Sequence, residues 1–160
     1  MDRPIINFDQ LEYEEAEGGP FRQSFADISG RIGAKKLGYN LTVVLPGDKA
    51  CPFHNHHVEE EMFFILDGEG ILRFGDKEYP IRPFDVIACP PGGRDLAHQI
   101  INTGKVDLKY LAVSTKEAHE ICEYPDSNKI MVCAGEVGRR NLRMLFKADQ
   151  TVNYLDGEDK

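Results

Sequence analysis

The sequence predicts an all-β sandwich or barrel. Short segments rich in Val, Ile, Leu and Phe recur along its centre. Turn clusters of Gly, Pro, Asn and Asp separate them about every ten residues. No central stretch keeps a helical period over a useful length. The chain has 160 residues, which suits one domain with a sizeable core. It divides into an N-terminal arm (1–33), a barrel core (34–115) and a C-terminal extension (116–160).

The arm is polar, and Gly18-Gly19-Pro20 breaks it. Residues 1–22 are expected to drape over the domain or reach a partner subunit, and 25–32 to add a short strand or turn. Residues 37–45 have strand composition and stop at Pro46-Gly47. A strand at 61–66 ends at Gly68-Glu69-Gly70. Segments 71–74 and 78–81 flank Gly75-Asp76-Lys77, a hairpin signal. Segment 85–89 ends at Pro90-Pro91-Gly92-Gly93, segment 97–101 at Asn102-Thr103-Gly104, and 106–115 is the longest strand. Beyond the barrel, 116–123 is expected to form a helical turn or two. Residues 129–134, 142–147 and 151–154 are the last expected strands.

Charge narrows the functional classes. The net charge of -8 argues against a nucleic-acid surface. No segment approaches the roughly 20 apolar residues of a membrane helix, and 1–17 lacks the apolar stretch of a signal peptide. Cys51, Cys89, Cys122 and Cys133 form no CxxC pair. They read as reduced thiols, and the expected location is cytoplasmic.

Chemistry concentrates in 51–70. His54, His56 and His57 precede three carboxylates, Glu59, Glu60 and Glu61. His54 and His56 are two apart, so on a strand both point to one face. That is the simplest way for one strand to offer two imidazoles to one divalent first-row metal. Period alone does not choose the carboxylate, because Glu61 and Glu60 head two faces that are both apolar. His98 stands on another short strand as a fourth ligand. His57 and the spare carboxylates read as outward-facing, with a supporting role beside the metal as the lesser reading. Arg73, Arg82 and Arg94 could hold a substrate anion, though each reads first as a surface charge. Tyr39 and Tyr110 are candidates to line a cavity.

These residues resemble the two motifs of the cupin superfamily. The run from Gly47 through His54-x-His56 and Glu61 to Gly68 is similar to the first. The run with Pro90-x-Gly92, His98 and Asn102 is similar to the second. Phe84 stands where the second motif usually has glycine, and the loop before His98 is longer than usual. Residues 36–127 are similar to small bacterial single-domain cupins, many of them uncharacterised or sugar-phosphate isomerase-like. The resemblance implies a double-stranded β-helix (jelly-roll) barrel with short helical turns after it. It implies one metal held by His54, His56, Glu61 and His98, and so selects Glu61 over Glu60. The ion would be Mn, Fe, Ni, Co, Cu or Zn, since ligand softness leaves these open.

It implies action on a small oxygen-rich molecule in the barrel, sugar-phosphate isomerisation foremost, with Glu60 as the proton-transferring base. An Fe(II) dioxygenase and a non-catalytic binder or sensor are the alternatives. Neither nucleic acid nor membrane is an expected partner. A homodimer using the chain ends is expected.

Overall fold

The structure, a computed structural model, describes residues 3–159. Residues 1, 2 and 160, the tips of the expected arm and extension, lie outside them. Among the described residues, thirteen strands build three sheets. They are β1 (Glu14–Gly18), β2 (Phe21–Asp27), β3 (Leu37–Val44), β4 (Asn55–His56), β5 (Glu61–Asp67), β6 (Gly70–Phe74) and β7 (Lys77–Ile81). After these come β8 (Val86–Cys89), β9 (His98–Ile101), β10 (Leu108–Thr115), β11 (His119–Tyr124), β12 (Lys129–Ala134) and β13 (Leu142–Lys147).

The largest sheet runs β1-β2-β3-β10-β5-β8. A second runs β13-β12-β11-β4, and a third β7-β6-β9. All pairings between named strands are antiparallel. The expected all-β jelly roll is therefore the observed fold. Its core gathers Val44, Ile65, Leu72, Ile87, Ile100 and Leu108 inside the barrel. Ile65 and Leu108 are fully buried. Each such side chain contributes about 2–3 kcal/mol by leaving water.

Alternation explains β5. Glu61, Phe63 and Ile65 lie on its inner face, Phe63 and Ile65 being buried, while Met62, Phe64 and Leu66 are half-buried on the other. Gly68 ends the strand at φ 78°, and a Cβ there would strike the backbone of Asp107. Glycine is the residue that meets both demands.

The N-terminal segment forms strands: β1 and β2 make a hairpin across Gly18-Gly19-Pro20, and β2 pairs with β3. Segment 25–32 holds the end of β2, to Asp27, and then a turn from residue 29. Two expectations need correction. Segment 116–123 is not helical, because β11 occupies it between β12 and β4. Its burial alternates, with Glu120 and Cys122 inward, so sheet pairing overrides a weak helical pattern. The helical turn after the barrel sits later, at Pro125–Ser127. Residues 151–153 form no strand and lead into a turn at 154–157.

Phe84, the residue in the glycine position, adopts φ 77° and is 78% exposed. Its N–H donates to Ile65 O at 2.8 Å, which pins the backbone there. A bulky residue in the left-handed region costs about 1–2 kcal/mol. Phe84→Gly is accordingly expected to stabilise the chain by about 1 kcal/mol, after some loss of contact with Phe64 and of chain stiffness. A thermal midpoint equal to or below that of the unmodified chain would contradict this account.

Candidate metal centre

Backbone pairing brings the separated histidines together. His54 and His98 form an antiparallel bridge, with N–H to O distances of 3.2 and 2.7 Å in the two directions. His98 opens β9, so the second motif delivers its imidazole beside the first. His56 follows two residues later on β4, and Asn55 points the other way, where its Nδ2 donates to Gly92 O at 2.8 Å. Glu61 opens β5 and lies opposite Cys89 of β8 and Ser114 of β10.

Three imidazoles converge on one oxygen. Glu61 Oε2 lies 3.0 Å from His98 Nε2, 3.3 Å from His56 Nε2 and 3.7 Å from His54 Nε2. His54 Nδ1 lies 2.8 Å from Pro52 O. With a metal bound, donation there would leave the Nε2 lone pair for the ion. His98 Nδ1 faces Leu96 O at 3.4 Å.

Ligands about 2.1 Å from one ion in tetrahedral or octahedral geometry stand about 3.0–3.5 Å apart. The observed spacings fall close to that range. Imidazole nitrogen with carboxylate oxygen also suits first-row divalent ions. The residues present therefore fit such an ion. His54, Glu61 and His98 make one group whose donor atoms all lie within 4.8 Å of one another. His56 reaches Glu61 but also belongs to a second group with Glu59 and Glu120.

Electrostatics matches this layout. Burial alone would raise the Glu61 carboxyl, but hydrogen bonds from His54, His56 and His98 hold it well below the usual range. Burial opposes charge on His56, yet Glu120 and Glu61 outweigh it and lift the imidazole to about 9. His54 is raised well above its ordinary value against burial, by Cys51 and Glu61. For His98 burial wins, and its pKa falls. In the metal-free chain folding thus favours the protonated forms of His54 and His56 opposite an ionised Glu61.

A cavity of about 310 Å³ opens beside this group. His54, Glu61 and His98 form its polar wall, with Gln23, Asn40, Thr42 and Tyr110 around them. Phe25, Phe63, Ile100 and Ala112 are among the apolar groups. Tyr110 is the cavity tyrosine; Tyr39 is absent from the lining. Burial, the main cause, raises the Tyr110 hydroxyl well above 10, so it stays protonated and serves as a donor.

Sequence reasoning missed Gln23, Asn40 and Thr42. Their signal was polar residues alternating on apolar strands, since Asn40, Thr42 and Val44 share a face of β3.

Other expected residues lie elsewhere. Glu60 is exposed, directly before β5, and does not line the cavity. Arg73 makes a two-point ion pair with Asp126 at 2.6 and 2.8 Å and covers the Phe53 ring. Arg94 pairs with Glu123 at 2.6 Å, which also receives His57. Arg82 is exposed. No Lys or Arg lines the cavity among the described residues.

A jelly-roll barrel with histidines and a glutamate gathered on its inner wall defines the cupin class. Residues 40–114 match the family described as Cupin domain. An oxalate-binding protein of Thermotoga maritima is 39% identical over 69 residues, covering 43% of this chain and 54% of the relative. The chain spans 54–60% of the length of the curated relatives it matches.

Among solved structures, a candidate sugar phosphate isomerase from Acidithiobacillus ferrooxidans has a TM-score of 0.81 at 24% identity. That likeness covers 93% of this chain and 96% of the other. A cupin-superfamily sugar phosphate isomerase from Silicibacter pomeroyi has a TM-score of 0.78 at 23% identity, covering 96% and 98%. At these identities the likeness establishes the fold. Among the described residues, no helix is long and apolar enough to cross a membrane.

Proposed function

We propose that this chain binds one divalent transition metal through His54, His56, Glu61 and His98, and takes a small oxygen-rich molecule into the adjoining cavity. The observation that carries this reading is the convergence of three Nε2 atoms on Glu61 Oε2 at the wall of a 310 Å³ cavity. When bound, the metal supplies a Lewis acid that polarises a carbonyl, carboxylate or hydroxyl oxygen.

The chain's own residues do the rest. Tyr110 donates from a hydroxyl that burial keeps neutral. Thr42 Oγ1 is turned by its bond to Asn40 Oδ1 at 2.7 Å, which leaves its lone pairs for a ligand donor. Phe25, Phe63 and Ile100 exclude water around the bound molecule.

The absence of Lys and Arg from the described lining favours an oxygenated head without a phosphate inside the cavity. Glu60 stands outside, so an isomerase on this frame would have to move its proton through Glu61 or a ligand oxygen. Non-catalytic capture is the second reading. It is supported by that lack of a free cavity base and by the oxalate-binding relative. The isomerase reading draws on the two solved neighbours alone.

Calorimetry on the Mn- or Zn-loaded chain tests this, using oxalate, glycolate, a ketose and the corresponding ketose phosphate. Metal-dependent binding of the small oxyanions is expected, with no gain from the phosphate. At least tenfold tighter binding of the phosphate form would sink the non-phosphorylated assignment. Conversion of ketose to aldose, read by NMR, would establish catalysis over capture.

A further inference from the structure

His56 Nδ1 is buried and has no hydrogen-bond partner. With Nε2 turned to the metal, Nδ1 carries the ring's proton, and a buried N–H needs an acceptor. Two carboxylates stand near it. Glu120 Oε1 is 3.8 Å away and Glu59 Oε2 is 4.0 Å away.

They differ in how they are held. Glu59 is drawn off by Arg140 Nη2 at 3.3 Å and by the Glu117 N–H at 3.3 Å. Glu120 is 3% exposed and accepts from the backbone N–H groups of His57, Val58 and Glu59, the residues directly after His56. Its oxygen is thereby fixed to the same stretch of backbone that carries the imidazole. Glu120 reaches this place on β11, which pairs with β4 through Cys122 opposite His56.

We propose that Glu120 is the positioning residue for His56: its carboxylate accepts from Nδ1–H and so aims Nε2 at Glu61 and the metal. The proposal rests on the ligand set given above. Carboxylates that orient a ligating histidine in this way typically change metal affinity about 10–100-fold when removed. The group formed by His56, Glu59 and Glu120 is thus a bracket for one ligand rather than a second cage. Its oxygens already receive N–H bonds from the backbone and from Arg140.

The test measures Co2+ affinity of the full chain by chelator competition, with the cobalt d–d spectrum as a second readout. It compares the unmodified chain, Glu120→Gln, His56→Ala and the double variant. Glu120→Gln is expected to weaken binding about tenfold or more and to shift the spectrum. In the His56→Ala background the same change is expected to alter affinity less than about twofold, because Glu120 acts through that ring.

Equal losses in both backgrounds would mean a merely structural role and overturn the proposal, as would no loss in either. Two bound Co2+ ions per chain, the second lost with Glu120, would overturn it in favour of a second site. If Glu120→Gln does not fold, Glu120→Asp keeps the charge, draws the carboxylate back by one methylene, and is judged by the same comparison. Failure of the unmodified chain to bind Co2+ would overturn the ligand set and this proposal together. Loss of binding in His54→Ala with Glu120→Gln indistinguishable from unmodified chain overturns the Glu120 role alone.

Discussion

A His98→Gln chain, grown with added Mn, Fe, Ni or Zn, is expected to carry less than about a tenth of an equivalent of metal, against about one for the unmodified chain. His98 is 3% exposed and its Nε2 is the nitrogen nearest to Glu61 Oε2. Glutamine approximates its volume, so the packing against Phe63 is largely kept while the imidazole donor is lost. Circular dichroism of both chains separates ligand loss from unfolding. Full metal content in the variant, by elemental analysis, would remove His98 from the ligand set. Less than about a tenth of an equivalent in the unmodified chain would remove the metal centre itself.

The second large effect is in pH. A group whose pKa rises on folding stabilises the folded chain below its ordinary value, and that contribution disappears as pH climbs through the folded value. For His56 the window runs from 6.5 to about 9. His54, also raised, acts in the same direction. Glu61, held low, contributes above its ordinary 4.5 and loses that contribution as pH falls.

The metal-free chain is therefore expected to show its highest thermal midpoint between about pH 4.5 and 6.5, falling toward pH 9. Metal affinity should move the opposite way. Binding expels the protons of His54 and His56, so affinity rises with pH, approaching about 100-fold per unit while both are protonated. Titrations of metal-free and loaded chain by calorimetry at several pH values check both halves. A metal-free midpoint that rises from pH 6.5 to 9, or an affinity indifferent to pH, would contradict the charge state assigned to this cluster.

Much of this fold is written locally. Turn clusters such as Gly75-Asp76-Lys77 and Asn102-Thr103-Gly104 mark strand ends, and the strands between them stand close to where those signals put them. The two-residue spacing of His54 and His56 is equally local. Glu61 was not settled that way: two apolar faces on β5 left Glu60 equal to it until the family motif chose, and in the structure Glu61 is the one facing inward.

What stayed hidden depends on long-range pairing. β11 carries Glu120 to His56 across 64 positions, and no window along the chain contains both. Arg73 and Arg94 looked available because their partners, Asp126 and Glu123, arrive from the same distant segment.

That segment has a consequence for how the protein can be cut and recombined. The family match ends at residue 114, yet β4, which bears His56, finds its pairing partner in β11. A fragment trimmed to the matched region would leave the His56 edge unzipped and its imidazole unsteered. Tail and barrel must therefore be transplanted together. In chimeras that keep the barrel and exchange the tail, the grafted piece would set the grip on the ion without altering a single ligand.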